Sequence, residues 1–208
     1  MLTLYHMPSS GNSYKVRLLL AMLGKPFKAI GYETGDGTNL TGSDAFRTLN
    51  PKGKLPLLVL EDGRTLSESN AILLYMAEGT HYLPGNAYER ALVTQWMFFE
   101  QYDHEPNVAV RQSLLTYEHR KKDATPEKMA ALMAGGTRAL NVMEEQLAST
   151  PFLIGDQFTV ADICLFAYTH CAETGGFDLA DYPGISKWLE RVASQPGHMA
   201  KDWLPKGA

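Results

Sequence analysis

Hydrophobic residues follow two different patterns in the first 80 residues of the chain. Short apolar runs at Leu2–His6, Phe27–Glu33 and Leu57–Leu60 predict β-strands. Between the first two runs, apolar residues recur at helical spacing over Ser13–Leu23, and the Gly-x-Pro sequence that follows marks a helix end. The order of strand, helix, strand and further strand is typical of a small α/β domain.

A hairpin and a helix are predicted to complete this domain. The turn sequence Glu61-Asp62-Gly63-Arg64 separates Leu57–Leu60 from a second short run, Thr65–Leu66, and therefore predicts two antiparallel strands. Ser67 is the predicted N-cap of the next helix, whose apolar residues continue to Met76.

Strand patterns stop after Leu83, and the rest of the chain shows helical periodicity interrupted by short breakers. One helix is predicted to begin at Ala87, and Pro106 is expected to kink or end it. The sequence Thr159-Val160-Ala161-Asp162 has the spacing of a capping box and predicts another helix start. We therefore predict two domains, residues 1–82 and residues 87–208.

Composition and charge narrow the functional classes. A formal net charge of −4 argues against a general nucleic-acid binder, and 45% apolar residues indicate a folded core. The chain has no run of eighteen apolar residues and its first residues lack the features of a signal peptide. We expect a cytoplasmic protein without membrane or nucleic-acid partners, in which Cys164 and Cys171 are buried thiols.

The segment Ser10-Gly11-Asn12-Ser13 lies where the first strand meets the first helix. Backbone N–H groups and the helix dipole converge there and stabilise an anion. Thioredoxin-like β-α-β units carry Cys-x-x-Cys at this point, whereas this chain has Ser-x-x-Ser. Because a serine hydroxyl is a good donor and a poor redox group, the loop is suited to hold a thiolate from another molecule. The alternative is that Ser10 or Ser13 only caps the helix.

Lys54-Leu55-Pro56 precedes the third strand. A cis bond before Pro56 would turn the Leu55 backbone outward, where it can pair with an extended peptide. A trans proline that simply starts the strand is the alternative.

Ser67-Glu68-Ser69 lies at a predicted helix N-terminus. Backbone N–H groups and a hydroxyl suit a ligand carboxylate, and the Glu68 carboxylate suits a ligand ammonium group. The segment thus matches the head group of an α-amino acid, although a simple helix cap explains each residue singly.

In this order, and followed by a helical domain with the capping box, these segments resemble the cytosolic glutathione transferase superfamily over essentially the whole chain. Residues 9–17 resemble the serine-type segment of the Zeta, Theta and Delta classes, with Ser10 at the hydroxyl position. They also resemble the bacterial Nu class, whose Thr-Pro-Asn triplet falls on Ser10-Gly11-Asn12. The resemblance implies the glutathione transferase fold, an α/β thioredoxin-like N-terminal domain plus an all-α C-terminal domain, in a homodimer.

The resemblance also implies which residues act. Ser10 and Asn12 are the expected catalytic residues, and Ser9 remains a third candidate for the place nearest the sulfur. Asn12 stands where the Zeta class has a cysteine, which counts against maleylacetoacetate isomerisation. The residues expected to bind glutathione are Ser10, Asn12, Lys52, Lys54, Leu55, Pro56, Glu68 and Ser69.

The expected activity is attack of a glutathione thiolate on a small hydrophobic electrophile, a disulfide or a peroxide, with glutathione as co-substrate and no metal. Candidate residues for the second substrate follow the helix start at Ala87, namely Phe99, Tyr102, His104 and Arg111. Asn12 favours disulfide or peroxide reduction. The alternative is a non-catalytic binding or regulatory module. A plain thioredoxin-like oxidoreductase is disfavoured, because no cysteine precedes Cys164.

Overall fold

The first 78 residues form the predicted strand-helix-strand unit and its hairpin. The structure is a computed structural model that describes residues 1–34 and 37–205. The strands in that part of the chain are β1 (Leu2–His6), β2 (Phe27–Gly31), β3 (Leu57–Val59) and β4 (Thr65–Ser67). Their order in the sheet is β2-β1-β3-β4, with β1 and β2 parallel and the other pairs antiparallel. The helices of this region are α1 (Gly11–Met22), α2 (Asp44–Leu49) and α3 (Ser69–Ala77).

Helix starts differ from the predictions in three places. Helix α1 begins at Gly11 rather than Ser13, so that Ser10 is its N-cap. Helix α3 begins at Ser69 after Glu68, not after Ser67. Helix α2 was not predicted, because its six residues bury only Phe46 and therefore show no periodicity.

The core of this region lies between the sheet and helices α1 and α3. Its fully or nearly buried members are Leu4, Val16, Leu20, Phe27, Leu58 and Ile72. Trp203, near the C-terminus, packs against this core and meets Phe27 edge to face, with ring centroids 6.3 Å apart.

The remainder of the chain is helical, as the sequence indicates. Its α-helices are α4 (Ala87–Phe99), α5 (Val110–Thr116), α6 (Pro126–Leu147), α7 (Val160–Thr169) and α8 (Pro183–Ala193). Short 3₁₀ turns occur here at Glu118–Asp123, Ala172–Gly175 and Leu179–Asp181, and another occurs within the first 78 residues at Leu40–Gly42. Every residue of α7 is buried, including Cys164, whereas Cys171 is only half-buried.

Pro106 does not end the helix that precedes it. The chain continues from α4 through a π-helix, Glu100–Ala109, directly into α5. A π-helical turn has i→i+5 bonds and is wider than an α-turn. Asn107 Nδ2 donates to the Asp103 carbonyl oxygen at 2.6 Å, which helps to satisfy the backbone around the proline.

The chain divides into two compact units. The first contains Met1–Glu78 and the C-terminal segment that starts at Gln195, and the second contains Gly79–Ser194. The first unit therefore includes a segment that the sequence assigned to the helical domain. Within the described residues, no helix is both long enough and apolar enough to span a bilayer.

Candidate active site

Ser10 lies at the turn that joins β1 to α1 and caps the helix weakly. Its Oγ accepts a hydrogen bond from Ser13 N at 3.4 Å, the outer limit for such a bond. The first turn of α1 contains no acidic side chain that would fill the remaining donors. The N-terminus of α1 is therefore electropositive and suited to an external anion.

The three serines of this loop have different partners. Ser9 Oγ donates to Glu33 Oε1 at 2.7 Å, and Ser9 N donates to Glu33 Oε2 at 3.0 Å. Ser13 Oγ is buried and accepts from Met7 N at 3.0 Å. Among the described residues, the hydroxyl hydrogens of Ser10 and Ser13 have no acceptor, but Ser13 is fully buried whereas Ser10 is only half-buried, so Ser10 is the serine that can donate to a ligand.

Asn12 joins the beginning of α1 to the beginning of α3. Its Oδ1 accepts from Ser69 Oγ at 3.2 Å, with the amide oxygen and nitrogen assigned from the hydrogen bonds. One turn further along α1, the buried Lys15 donates from Nζ to Asn70 Oδ1 at 3.0 Å. The structure thus brings together two of the predicted segments, the one around Ser10 and the one around Ser69.

The third predicted segment is the loop before β3, in which the Leu55–Pro56 bond is cis. Asn50 shapes the loop, because its Nδ2 donates to the Lys54 carbonyl oxygen at 2.8 Å and its Oδ1 accepts from Lys52 N at 3.3 Å. Leu55 takes no part in the backbone hydrogen bonds that the described residues make outside regular elements. Pro56 is buried, and β3 then pairs with β1.

Glu68 adopts a conformation that is rare for its residue type. Its φ of 69° is positive, which among the described residues is otherwise seen only at glycines. Such a conformation costs on the order of 1–3 kcal/mol and is common at ligand sites. Glu68 Oε1 lies 2.6 Å from Lys52 Nζ, and both side chains are more than half exposed. An exposed pair of this kind contributes little stability, so either partner can turn to a ligand.

Ser69 is the first residue of α3 and is nearly buried. Within the part of the chain that the structure describes, neither a capping side chain nor an acidic first-turn residue occupies this helix N-terminus. The start of α3 is therefore a second place in the first unit where backbone N–H groups can meet an anionic group.

Three polar residues behind this loop, His6, Arg17 and Glu33, were not predicted from the sequence to belong to the site. Arg17 lies on α1 among leucines and is 1% exposed. Its Nη1 donates to His6 Nδ1 at 3.0 Å. Burial and the nearby Arg17 charge lower the pKa of His6 to about 4, and burial lowers the pKa of Arg17 to about 10. The only signal in the sequence for this buried group was Arg17 itself, a charged residue between Val16 and the three leucines that follow it.

The residues predicted for the second substrate are placed unevenly in the helical unit. His104 is fully buried, and its Nε2 lies 3.0 Å from Thr169 Oγ1. Arg111 donates from Nε to the Gly175 carbonyl oxygen and from Nη1 to the Met129 carbonyl oxygen, each at 2.6 Å. These two side chains make contacts inside the helical unit, and their role toward a second substrate stays a prediction.

Phe99 and Tyr102 remain predictions for the second substrate. Phe99 is half-buried and meets Trp96 edge to face at 5.3 Å, while Tyr102 is 78% exposed. Within residues 1–34 and 37–205, no group of three or more His, Cys, Asp or Glu residues is arranged to hold a metal ion.

Comparison with known proteins gives similarity over nearly the whole chain. The family model "Glutathione S-transferase, N-terminal domain" matches residues 1–78, and the corresponding C-terminal domain model matches residues 103–196. The crystal structure of a glutathione S-transferase from Pseudomonas fluorescens Pf-5 is 45% identical, with a TM-score of 0.91, and the match covers 96% of this chain and 98% of that one.

Two further relatives carry information about chemistry. The disulfide-bond oxidoreductase YfcG of Escherichia coli (strain K12) is 29% identical over 203 residues, 94% of this chain and 92% of YfcG. The glutathione transferase BgramDRAFT_1843 from Burkholderia graminis was solved with two glutathione molecules bound per subunit. It is 26% identical with a TM-score of 0.79, and the match covers 94% of this chain and 85% of that one.

Proposed function

The chain belongs to the glutathione transferase superfamily, and from that premise we propose that its first unit binds glutathione with the sulfur held as a thiolate beside Ser10. The observation that carries the proposal is the state of the three loop serines. Ser9 Oγ donates to Glu33 and Ser13 Oγ is fully buried, while the half-buried Ser10 hydroxyl hydrogen has no acceptor among the described residues.

The energy required is within reach of these groups. A thiol has an ordinary pKa near 8.5, and lowering it by about two units takes roughly 3 kcal/mol of preferential thiolate stabilisation. A hydroxyl that donates to a charged acceptor contributes about 1.5–3 kcal/mol, and a helix N-terminus adds about 0.3–1 kcal/mol. Ser10 and the first turn of α1 can therefore ionise the thiol without a general base. The Asn12 amide is the proposed second donor.

The rest of the tripeptide is proposed to follow the other two segments. The cysteinyl backbone of glutathione would pair with Leu55, beside Pro56 and the neighbouring Lys52 and Lys54. The γ-glutamyl head group would lie at the start of α3, with its carboxylate on the Ser69 hydroxyl and N–H and its ammonium group on Glu68. The exposed Lys52–Glu68 pair is consistent with this arrangement, because it can open at little cost.

We propose disulfide reduction as the favoured reaction. The thiolate would attack one sulfur of a disulfide RSSR, forming the mixed disulfide GS–SR and releasing RS⁻. A second glutathione thiolate would then attack the glutathione sulfur of GS–SR, giving glutathione disulfide and the second RS⁻. A protein thiol is not needed, which fits a chain whose two cysteines, Cys164 and Cys171, both lie outside the first unit. The similarity to YfcG supports this choice over conjugation.

Turnover assays with three substrates distinguish disulfide reduction from conjugation, from peroxide reduction and from a non-catalytic role. Turnover of hydroxyethyl disulfide above that of chlorodinitrobenzene and cumene hydroperoxide is expected. Retention on glutathione resin without turnover of any of the three would instead support a binding or regulatory module. A homodimer and a cytoplasmic location are further proposals, and sedimentation of the purified protein tests the first of them.

The decisive experiment removes the Ser10 hydroxyl. We expect Ser10→Ala to raise the pKa of the bound glutathione thiol by about one to two units and to lower turnover at neutral pH by about 10–100-fold. The thiolate is followed by its ultraviolet absorbance in a pH titration of the complex.

Ser9→Ala is the matched control, because it deletes the neighbouring hydroxyl, which donates to Glu33. It should leave turnover within about threefold of the wild type. Unchanged thiol pKa and turnover in Ser10→Ala, or a complex with the sulfur remote from Ser10, would refute the proposal.

A further inference from the structure

Arg17 is a buried cation whose partners are neutral. Its side chain is 1% exposed, and none of the ion pairs among the described residues includes it. The acceptors are His6 Nδ1 at 3.0 Å, the Pro8 carbonyl oxygen at 3.2 Å and the Lys201 carbonyl oxygen at 2.6 Å. A buried charge that loses an acceptor is strongly destabilised, so these contacts constrain the groups that make them.

One of these acceptors belongs to the loop that carries Ser10. Nη2 of Arg17 holds the Pro8 carbonyl oxygen, two residues before Ser10. Met7 on the other side of Pro8 is fixed at both polar groups, since its N–H donates to Ser13 Oγ and its carbonyl oxygen accepts from Ser10 N at 3.1 Å. The direction of the Ser10 hydroxyl is therefore set by a loop that is anchored to α1 through Arg17.

Another acceptor belongs to the C-terminal segment. The same Nη2 that binds Pro8 also binds the Lys201 carbonyl oxygen, 184 residues further along the chain. Two more contacts fasten this segment to the first unit: Tyr14 Oη donates to the Met199 carbonyl oxygen at 2.7 Å, and the Trp203 ring packs on Phe27. The segment that begins at Gln195 thus supplies an acceptor to Arg17. Arg17 in turn contacts Pro8 in residues 7–10, which we call the sulfur-binding loop.

We propose that Arg17 is a positioning residue for the sulfur-binding loop and that the C-terminal segment acts through it, by holding the guanidinium in the orientation that fixes Pro8. This inference rests on the proposed function, in which Ser10 donates to the glutathione sulfur. Arg17 itself does not touch the reacting atoms. Its planar group serves two carbonyls and an imidazole at once, which the single ammonium of a lysine cannot do with the same geometry.

The test combines Arg17→Lys with Trp203→Ala, which loosens the C-terminal segment without touching Arg17. Arg17→Lys is expected to raise the pKa of the bound thiol by about one unit and to lower kcat about 10-fold, with the KM for glutathione within about threefold of the wild type. Trp203→Ala should give a smaller change in the same direction. The double variant should be no worse than Arg17→Lys alone, because both act through one contact.

Leu20→Val is the control for stability. It removes one methylene from the core of the same helix, at an expected cost of about 1 kcal/mol, and leaves the Arg17 contacts intact. The thiol pKa should stay at its wild-type value in this variant. A rise in Leu20→Val equal to that in Arg17→Lys would assign the effect to general destabilisation and overturn the inference.

The remaining outcomes separate the inference from the proposed function. If Ser10→Ala raises the thiol pKa while Arg17→Lys does not, the function stands and the inference is wrong. Additive effects of Arg17→Lys and Trp203→Ala also overturn it. A wild-type protein that leaves the thiol pKa of bound glutathione unchanged contradicts both. Should Arg17→Lys fail to fold, Trp203→Ala alone decides, and a normal thiol pKa in that variant contradicts the role of the C-terminal segment.

Discussion

Helices α1 and α7 both begin after a hydroxyl residue, yet their N-termini are in opposite states. At α7, Thr159 N donates to Asp162 Oδ2 at 2.9 Å and Ala161 N donates to Thr159 Oγ1 at 3.3 Å. Asp162 also accepts from Leu153 N and from Trp188 Nε1 through Oδ1. At α1, the side-chain cap among the described residues is the 3.4 Å bond to Ser10 Oγ.

The difference comes from the fourth residue of each segment rather than from the cap. Ser10-x-x-Ser13 and Thr159-x-x-Asp162 have the same spacing. Asp162 turns back to accept from the N–H of the N-cap residue of its own helix, whereas Ser13 turns away to accept from Met7 N. A helix N-terminus whose N–H groups have side-chain acceptors stabilises the fold. One whose N–H groups lack such acceptors is available to an external anion. The comparison of α1 with α7 therefore indicates that the residue three places after the N-cap decides between two roles. It either binds the N-cap of its own helix or leaves the helix N-terminus for an external anion.

The buried titratable groups of the two units also have different roles. In the helical unit, burial raises the pKa of Asp162 to about 6, with four hydrogen bonds to its carboxylate working in the other direction. In the first unit, burial and the Arg17 charge lower the pKa of His6 to about 4. Asp162 serves the N-cap of its own helix together with Leu153 and Trp188, while His6 and Arg17 support a neighbouring loop.

The largest expected effect is on the stability of the filled N-terminus. Asp162→Ala should lower the free energy of unfolding by about 4 kcal/mol, because the N–H groups of Leu153, Thr159 and Trp188 would lose their acceptor. Urea unfolding at neutral pH measures the change. Asp156→Ala, an exposed residue of the same loop, is the control and should stay within about 0.5 kcal/mol of the wild type. A loss below about 1 kcal/mol would contradict the comparison.

Much of this contrast could be read from local sequence. The capping box at Thr159–Asp162, the order of strands and helix along the first part of the chain and the hairpin depend on signals within a few residues, and the structure has all of them. The segments around Ser10, Leu55 and Ser69 were likewise marked by local turn and cap chemistry. The family resemblance added what no single segment carries, namely that the three form one site.

The remaining features depend on contacts between distant residues. Arg17 finds an acceptor at Lys201, and Ser9 finds one at Glu33, so no local pattern shows which partners these two residues have. The π-helix through Pro106 has the same origin. Asn107 packs so closely on α6 that a side chain at Gly135 would collide with it, and this packing holds the helix together where local rules predict a break.

An intermediate effect on the free energy of unfolding is expected from a change in pH, with opposite signs for His6 in the first unit and Asp162 in the helical unit. His6 has a folded pKa of about 4, below its ordinary 6.5, so its contribution is present above pH 6.5 and is lost as the pH falls toward 4. After allowance for solvent screening, the loss is about 2 kcal/mol. Asp162 has a folded pKa of about 6, above its ordinary 3.8, so its contribution is present below pH 3.8 and is lost as the pH rises through 6.

Two variants isolate these contributions in urea unfolding at pH 7 and pH 4. The stability advantage of the wild type over His6→Gln should shrink on acidification, since glutamine keeps an acceptor for Arg17 but does not titrate. Its advantage over Asp162→Asn should grow over the same interval. Equal signs for the two variants would show that the buried groups do not titrate as the structure indicates.

The smallest expected effect is the change in the free energy of unfolding when either helix cap, Thr159 or Ser10, is removed. Thr159→Ala removes a hydroxyl that serves both Ala161 N and Asp162, and should lower the free energy of unfolding by about 1–2 kcal/mol while leaving the thiol pKa of bound glutathione unchanged. Ser10→Ala removes a cap of 3.4 Å and should cost less than about 0.5 kcal/mol, although its effect on turnover is large. Urea unfolding without glutathione, together with the thiol titration, measures both quantities. If Ser10→Ala were the more destabilising of the two, Ser10 would be a structural cap like Thr159, and the open N-terminus of α1 would lose its role in holding a thiolate.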